Sequence, residues 1–317
     1  MNPMTRLYVP PIPVLLNPSA GAGRASRMRA RLESELKRQG IPYTLTVPES
    51  EAGLREATRR LAAAERVIAG AGGDSTFLIM AEEILKSGGR AALGLVGMGS
   101  SNDIPSSLGL DTIEAACRAL GEGRPRGIDV GVVERDGARL GYFLGQANLG
   151  LGVAVNRYVA GLAARRPRLA SRQFLDGFFG VREAYRMGRI PVAMRIEGGE
   201  AGRVEGSFVA AVFANTPLWA TGLRIAPEAR PDDGLLDLCL IEACPFRRLL
   251  RIYAAARKGR HADLPEVRLR CSKKFEVKLA GPAFVQTDGE ILEVGGGEGS
   301  QTIAFGLLPS ALNILLP

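Results

Sequence analysis

Residues 69–85 read AGAGGDSTFLIMAEEIL. The stretch joins an apolar run, RVIAG (66–70), to a run patterned like a helix, TFLIMAEEIL. Between them stand Gly72, Gly73 and Asp74. A loop that holds phosphate points backbone N–H groups at oxygen atoms. It therefore needs residues without a Cβ in the way and a helix N-terminus behind them. Residues 70–76, GAGGDST, supply both, at the strand end where open α/β sheets bind ligands. Ser75 or Thr76 can cap the helix, and their hydroxyls can also donate to a phosphate. A tight turn with Asp74 as helix cap satisfies the same pattern, so this stretch alone leaves two readings.

The neighbouring segments set the fold. PVLLN (13–17) is a short apolar strand. SRMRARLESELKRQG (26–40) carries Met28, Leu32 and Leu36 on one helical face and stops at Gly40. YTLTV (43–47) alternates as a strand, and EAGLREATRRLAAAE (51–65) places Leu54, Ala57, Leu61 and Ala64 on one stripe. AALGLVG (91–97) is a strand and IEAACRALGEG (113–123) a helix. Strict alternation with short connections predicts a doubly wound parallel sheet with helices on both faces.

Two further strands on that sheet end in loops of the same texture. NPSAGAGR (17–24) follows the first, and GMGSSNDIPSSLG (97–109) follows AALGLV. Three loops rich in Gly, Ser and Asn on one sheet edge favour phosphate over three unrelated turns.

Past Gly123 the texture changes to short, valine-rich runs broken by Gly, Pro and Asp, with a turn at Arg135-Asp136-Gly137. Such runs suit antiparallel sheets. The expected division is an α/β domain over 1–126 and a domain of antiparallel sheets over 127–306. The closing segment 307–317 is free to pack back on the first domain.

Composition narrows the chemistry. A single histidine, His261, excludes a multi-histidine metal site, and four cysteines without a CxxC pair suit reduced, buried thiols. Catalysis must then rest on carboxylates, Lys or Arg, hydroxyls or a hard metal. His261 reads as a surface residue at a strand-entry loop. The net charge of +8 favours anionic partners, whether nucleotides, nucleic acid or an anionic membrane leaflet, without choosing among them. The basic, aromatic stretch 157–189 reads first as a helix pair with a solvated face and second as a membrane contact. The proline-rich start reads as the approach to a buried strand, not as a signal peptide. A cytoplasmic protein, peripheral at the membrane during turnover, is expected.

NPSAGAG, GGDST and GMGSSND, in this order, resemble the NP-x-SG, GGDGT and P-x-GT-x-ND motifs of the diacylglycerol kinase catalytic family. The likeness continues through ANLGLG (147–152), IAPEARPDDGLLDL (225–238), GRH (259–261) and TDGE (287–290). It implies an N-terminal α/β nucleotide-binding domain, related to NAD kinases and phosphofructokinases, followed by a β-sandwich domain. It also implies transfer of the ATP γ-phosphoryl group to a lipid hydroxyl, most simply that of diacylglycerol. An NAD kinase-like enzyme and a non-catalytic lipid- or nucleotide-binding member are the competing readings; DDGLLDL and TDGE favour the lipid kinase over the first. Lipid at the membrane surface and ATP are the implied partners, without nucleic acid. A homodimer is compatible with the sequence.

Roles follow by motif. Gly72, Gly73, Asp74, Ser75 and Thr76 would line the phosphates or a catalytic Mg2+. Asn17, Ser100, Asn102 and Asp103 would complete the nucleotide pocket, with Thr46 a further contact. Glu290 is the expected general base, with Asp288 beside it orienting the base or a metal. The hairpin-turn reading of the Asp-Gly-Glu triplet stands against this. Asp233, with the carbonyl groups of Arg230 and Leu235, would hold a structural Mg2+.

The motif departs from the family at Ser75, where glycine is usual, and a side chain at a positive φ would be strained. It departs again at Ile79, in place of an acid, for which Glu82 or Glu83 could substitute. Gly97 and Ser100 replace a proline and a threonine.

Overall fold

A computed structural model describes residues 10–88, 90–157, 182, 192–198, 202–280, 283–295 and 300–317. The basic stretch 157–189 thus lies outside the described residues apart from Arg157 and Arg182. The chain divides into two compact units, Met1–Gly127 with Leu312–Pro317, and Ile128–Ala311.

The first unit is a parallel sheet flanked by helices. Its strands β1 (Ile12–Leu16), β2 (Tyr43–Thr46), β3 (Val67–Gly72) and β4 (Ala92–Gly97) lie in the order β2-β1-β3-β4. Strands covered on both faces carry continuous apolar runs, and β1, β3 and β4 are buried along nearly their whole length. Crossover helices α1 (Ala20–Arg38), α2 (Glu51–Ala64) and α3 (Asp74–Lys86) join them, and α4 (Asp103–Ser107) and α5 (Ile113–Glu122) follow β4. The end of the last strand returns to this unit: Ile314 pairs in parallel with Leu93, and Leu315 joins the core of Leu16, Leu36, Ala69 and Val96.

The chain steps from β1 to β2 and then to β3 on the other side of β1. The loops after β1 and β3 therefore flank the point where strand order reverses, the crevice that such sheets offer to ligands.

Helix α2 is turned from its predicted stripe. Leu54, Thr58 and Ala62 are buried, rather than Leu54, Ala57, Leu61 and Ala64. This rotation carries Arg55 and Arg59 towards α3, where they meet Glu82 and the buried Glu83 (Arg55–Glu82 2.6 Å, Arg59–Glu83 3.1 Å). Lys86 adds a third cation to Glu83 at 2.9 Å.

The second unit is built of antiparallel strands. Its elements are β5 (Arg124–Arg135), β6 (Ala138–Phe143), β7 (Gln146–Gly150), β8 (Val192–Glu197), β9 (Arg203–Ala214), β10 (Leu218–Trp219), β11 (Leu223–Arg224) and β12 (Leu236–Glu242). Helix α6 (Phe246–Ala256) precedes β13 (Val267–Ser272), β14 (Lys274–Ala280), β15 (Ala283–Thr287), β16 (Glu290–Gly295) and β17 (Ser300–Leu316). Strand β9 is central, pairing with β7, β8 and β12. One face of these strands packs Phe143, Phe208, Phe213, Phe275 and Phe305 into a core, with Phe213 stacked on Phe305 at 3.8 Å. The other face packs under α6 through Val212, Trp219, Leu249 and Ile252. The β5–β6 hairpin turns at Asp136 and Gly137, both at positive φ, as a two-residue connection requires.

Candidate functional site

Three loops of the first unit meet at the carboxyl edge of its sheet. After β1, residues Gly21, Ala22 and Gly23 are all left-handed, with φ of 60°, 53° and 78°. Two glycines and one small residue make such a turn attainable. The turn brings Gly21 against the loop after β4: a Cβ there would lie 3.1 Å from the Met98 carbonyl oxygen. Gly99 and Gly73 pass closer still, and a Cβ on Gly99 would stand 2.5 Å from the Gly73 Cα. The glycines therefore serve backbone approach between loops as well as any ligand.

Hydrogen bonds fix this meeting. The N–H groups of Met98 and Gly99 donate to the Gly72 carbonyl (2.7 and 3.1 Å), and that of Asn17 donates to the Ala71 carbonyl (2.9 Å). Asn102 is itself left-handed (φ 57°), a conformation asparagine tolerates better than most residues. Its side chain closes the loop on Gly99, accepting that residue's N–H at 2.7 Å and donating to its carbonyl at 3.1 Å.

Asp74 ties two of the loops together. Its carboxylate accepts the N–H groups of Asp103 and Ile104, each at 3.1 Å. Asp74 does not cap its own helix; Gly73 occupies that position. Its carboxylate instead satisfies donors at the start of α4. Burial pushes the Asp74 carboxyl up to about 6; the Ile104 N–H pulls it down, and the Asp103 charge pushes it up again. An acid raised in the folded state favours folding while protonated. Its contribution is fully present below the unfolded value near 3.8 and is lost as pH rises through about 6.

The other predicted residues divide by exposure. Thr76 is wholly buried; its hydroxyl accepts the Asn17 amide at 2.9 Å and the Gly73 N–H at 3.3 Å. It clasps the loop after β1 to the start of α3. Ser75 and Ser100 are exposed at the loop edge, and Thr46 is exposed at the end of β2. Ser75 lies within α3 and is not among the positive-φ residues, so the strain expected at this position does not arise. Glu82 and Glu83 are bound to the α2 arginines and do not stand in for the acid missing at Ile79, which is itself buried. Arg24 escaped the motif reading. Its guanidinium donates to the Gly99 carbonyl at 3.3 Å, placing a cation at this edge, and its only sequence signal is its place directly after NPSAGAG.

In the second unit, TDGE is a hairpin turn. Thr287 pairs with Glu290, and Asp288 and Gly289 are both at positive φ. The turn reading and a functional reading coexist, because the Asp288 carboxylate accepts the N–H groups of three consecutive residues, Leu144, Gly145 and Gln146. This geometry makes Asp288 an anchor for the backbone of residues 144–146. Glu290 is half-buried at the first position of β16. Replacing Asp288 by alanine would strand three amide donors, and we expect a loss of ~3–5 kcal/mol in unfolding free energy, read by urea denaturation.

The 230–235 turn is pinned by Asp129, a buried residue the motifs did not single out. Its carboxylate accepts the N–H groups of Gly234 and Ser310, both at 2.7 Å, and its own N–H donates to the Pro231 carbonyl. Asp233 is exposed and accepts the Leu235 N–H at 2.9 Å. Burial and the charges of Asp233 and Glu228 push the Asp237 carboxyl up to about 6. Among the described residues, no three His, Cys, Asp or Glu gather as a metal cluster.

His261 is fully buried, contrary to the surface position expected for it. Its Nε2 lies 2.9 Å from the Ile225 carbonyl oxygen, and burial lowers its pKa. The 3₁₀ turn at His261–Asp263 carries the ring to this carbonyl.

Residues 11–133 match the family model of the diacylglycerol kinase catalytic domain, and residues 146–316 match that of the YegS C-terminal NAD kinase beta sandwich-like domain. A diacylglycerol kinase of Mycobacterium tuberculosis (strain CDC 1551 / Oshkosh) is 27% identical over 313 residues, covering 96% of this chain and 95% of that protein. A Pseudomonas aeruginosa (strain UCBPP-PA14) protein named "Probable lipid kinase YegS-like" is 27% identical over 81% of this chain and 78% of its own length. A crystal structure of a diacylglycerol kinase from Bacillus anthracis str. Sterne superposes with a TM-score of 0.68 at 14% identity, covering 97% of each chain.

Proposed function

This chain belongs to the diacylglycerol kinase catalytic-domain family with a YegS-type C-terminal domain, a family of phosphotransferases with alcohol acceptors, and from that premise we propose an ATP-dependent lipid kinase acting on diacylglycerol to give phosphatidic acid. The observation that carries this reading is the meeting of the three loops at one sheet edge, with Asp74 bridging the start of α3 and the start of α4.

Phosphoryl transfer asks mainly for positioning and charge neutralisation, plus a group that takes the hydroxyl proton. The N-terminal end of α3, with Gly72, Gly73 and Ser75, supports the phosphate chain of ATP through backbone N–H groups and one hydroxyl. Asn17, Thr76 and Asn102 hold the loops in register, Ser100 and Asp103 line the neighbouring bend, and Thr46 serves the nucleoside side. Arg24 adds positive charge at the same edge. Glu290 takes the acceptor proton.

Asp233 and the carbonyl groups of Arg230 and Leu235 would supply the hard oxygen ligands that magnesium takes together with water. The bound ion would supply rigidity and positive charge to a turn where Asp233 and Glu228 act on Asp237. Magnesium with the nucleotide would supply charge neutralisation during transfer.

No helix among the described residues is long and apolar enough to cross a membrane. Encounter with lipid is placed at an anionic surface, matching the net charge of +8.

The test is incubation of the full chain with γ-labelled ATP and a panel of dioctanoylglycerol, sphingosine, ceramide and NAD. Label in an organic-extractable glycerolipid is the expected result. Label in NADP would replace this reading with the NAD kinase one, and nucleotide binding without transfer would replace it with a non-catalytic role.

A further inference from the structure

We propose that Gln146, Asn148 and Gln286 form a neutral, amide-lined receiving site for the hydroxyl- and ester-bearing head of the acceptor lipid. This deepens the lipid kinase reading and rests on it.

The three side chains share one face of the β7–β15 pair. Residues 146 and 148 alternate along β7, and Gln286 stands opposite Asn148 in the antiparallel register. The intervening residues, Ala147, Leu149 and Val285, point into the phenylalanine core. On the amide face, the neighbours across β9 are Ala214 and Val212, both fully buried and apolar. Amides are therefore out of place there as packing residues.

They are also unpaired. Gln146, Asn148 and Gln286 are 8%, 1% and 9% exposed. The Gln146 and Gln286 side-chain oxygens and both polar atoms of Asn148 are buried without a hydrogen-bond partner. Each such group costs free energy until something bonds to it, so native structures keep few of them without a reason. The Asn148 and Gln286 oxygens both pack against the Gly152 backbone, in the place a side chain there would take. A Cβ on Gly152 would lie 2.1 Å from the Asn148 oxygen and 2.8 Å from that of Gln286. Asn215 and Thr216, next in sequence after β9, add two more buried unpaired oxygens close to the Gly145 backbone.

The chemistry of the set selects its ligand. Amides offer donors and acceptors without charge. The nearest carboxylate along β15, Asp288, already accepts three backbone N–H groups. A buried ammonium would find no counter-charge in the amides and would be penalised. Hydroxyl and ester oxygens are matched, which favours an uncharged glyceride over a cationic amino alcohol.

The test uses the full chain carrying Asn148→Leu or Gln286→Met, which remove the polar atoms at similar volume. The Michaelis constant for dioctanoylglycerol should rise about tenfold per lost hydrogen bond, with that for ATP unchanged within about twofold. The melting temperature should hold or rise, because an unpaired buried amide has been removed. A lowered melting temperature with an unmoved acceptor constant would overturn the site and make the amides structural. Gln286→Glu supplies a counter-charge and should shift acceptor preference towards sphingosine; an unchanged preference counts against the proposal. The shift in melting temperature on adding dioctanoylglycerol without ATP reads the site apart from catalysis. A shift in the parent protein that the variants lose supports the site even if no lipid is phosphorylated. No shift in the parent, or an equal shift in all, overturns it.

Discussion

Asp74→Asn is expected to lower kcat for phosphoryl transfer by on the order of 10²–10³-fold, the scale of losing one preorganised electrostatic contact. The carboxylate oxygens of Asp74 each accept one N–H at the start of α4, from Asp103 and Ile104. An asparagine keeps one acceptor and turns an NH₂ group towards the other donor, so one of the two bonds becomes a clash. It also removes the negative charge at the junction of the two loops. The fold of the unit should persist, because its core of Leu16, Leu36, Ala69 and Val96 lies away from the substitution. Circular dichroism and urea denaturation would confirm that, and a steady-state assay would give the rate. Stability offers a second readout. In the parent protein the Asp74 contribution is lost between about pH 4 and 6, as the group pushed up to about 6 gives up its proton. The variant has no such titration, so this part of its stability–pH curve should flatten. A variant with full activity would reduce the Gly-Gly-Asp turn to a packing motif and would remove the strongest support for nucleotide at this edge.

The sequence made the parallel sheet and the three loops legible because both depend on local patterns. Apolar runs of four to six residues, helical spacing and glycine at strand ends are all readable within a dozen residues. The division of labour inside the loops was not legible. Thr76 and Ser75 are adjacent, carry the same functional group and fall in one motif, yet one is buried and the other exposed. That difference arises from the helical position of each residue against Asn17, a partner 59 positions away. The orientation of α2 was hidden for a similar reason: Ala57, Leu61 and Ala64 make a credible apolar stripe. Ion pairs from Arg55 and Arg59 to acids on α3 accompany the observed rotation. His261 was misplaced because a histidine among polar neighbours gives no sign of the carbonyl, 36 residues earlier, that receives it. The amides at 146, 148 and 286 went unremarked because single Asn and Gln residues in strands carry no signal until register brings them together. Long-range pairing is the common element in every miss, and it is the part of a fold that periodicity does not encode.

Glu290→Gln should reduce kcat by ~10²–10⁴-fold, the range spanned by general acid–base catalysis, while leaving the Michaelis constant for ATP within about twofold. The position of Glu290 is set by the turn before it. Asp288 and Gly289 adopt positive φ, and the Asp288 carboxylate binds the N–H groups of residues 144–146, so the start of β16 is fixed to the start of β7. Glutamine preserves size and one acceptor, so the hairpin should survive and the change should report on proton transfer alone. The contrast with Asp288→Ala separates the two acids of this turn: one loses stability, the other rate. A general base matters most when the attacking hydroxyl is least acidic. The deficit of Glu290→Gln should therefore shrink with glycerolipid analogues whose acceptor hydroxyl is acidified by fluorine on the neighbouring carbon. Single-turnover rates across such a series would show a steeper dependence on acceptor acidity in the variant than in the parent protein. Equal dependence in both, or an unreduced rate with dioctanoylglycerol, would assign the proton to another acceptor and leave Glu290 as the first residue of a strand.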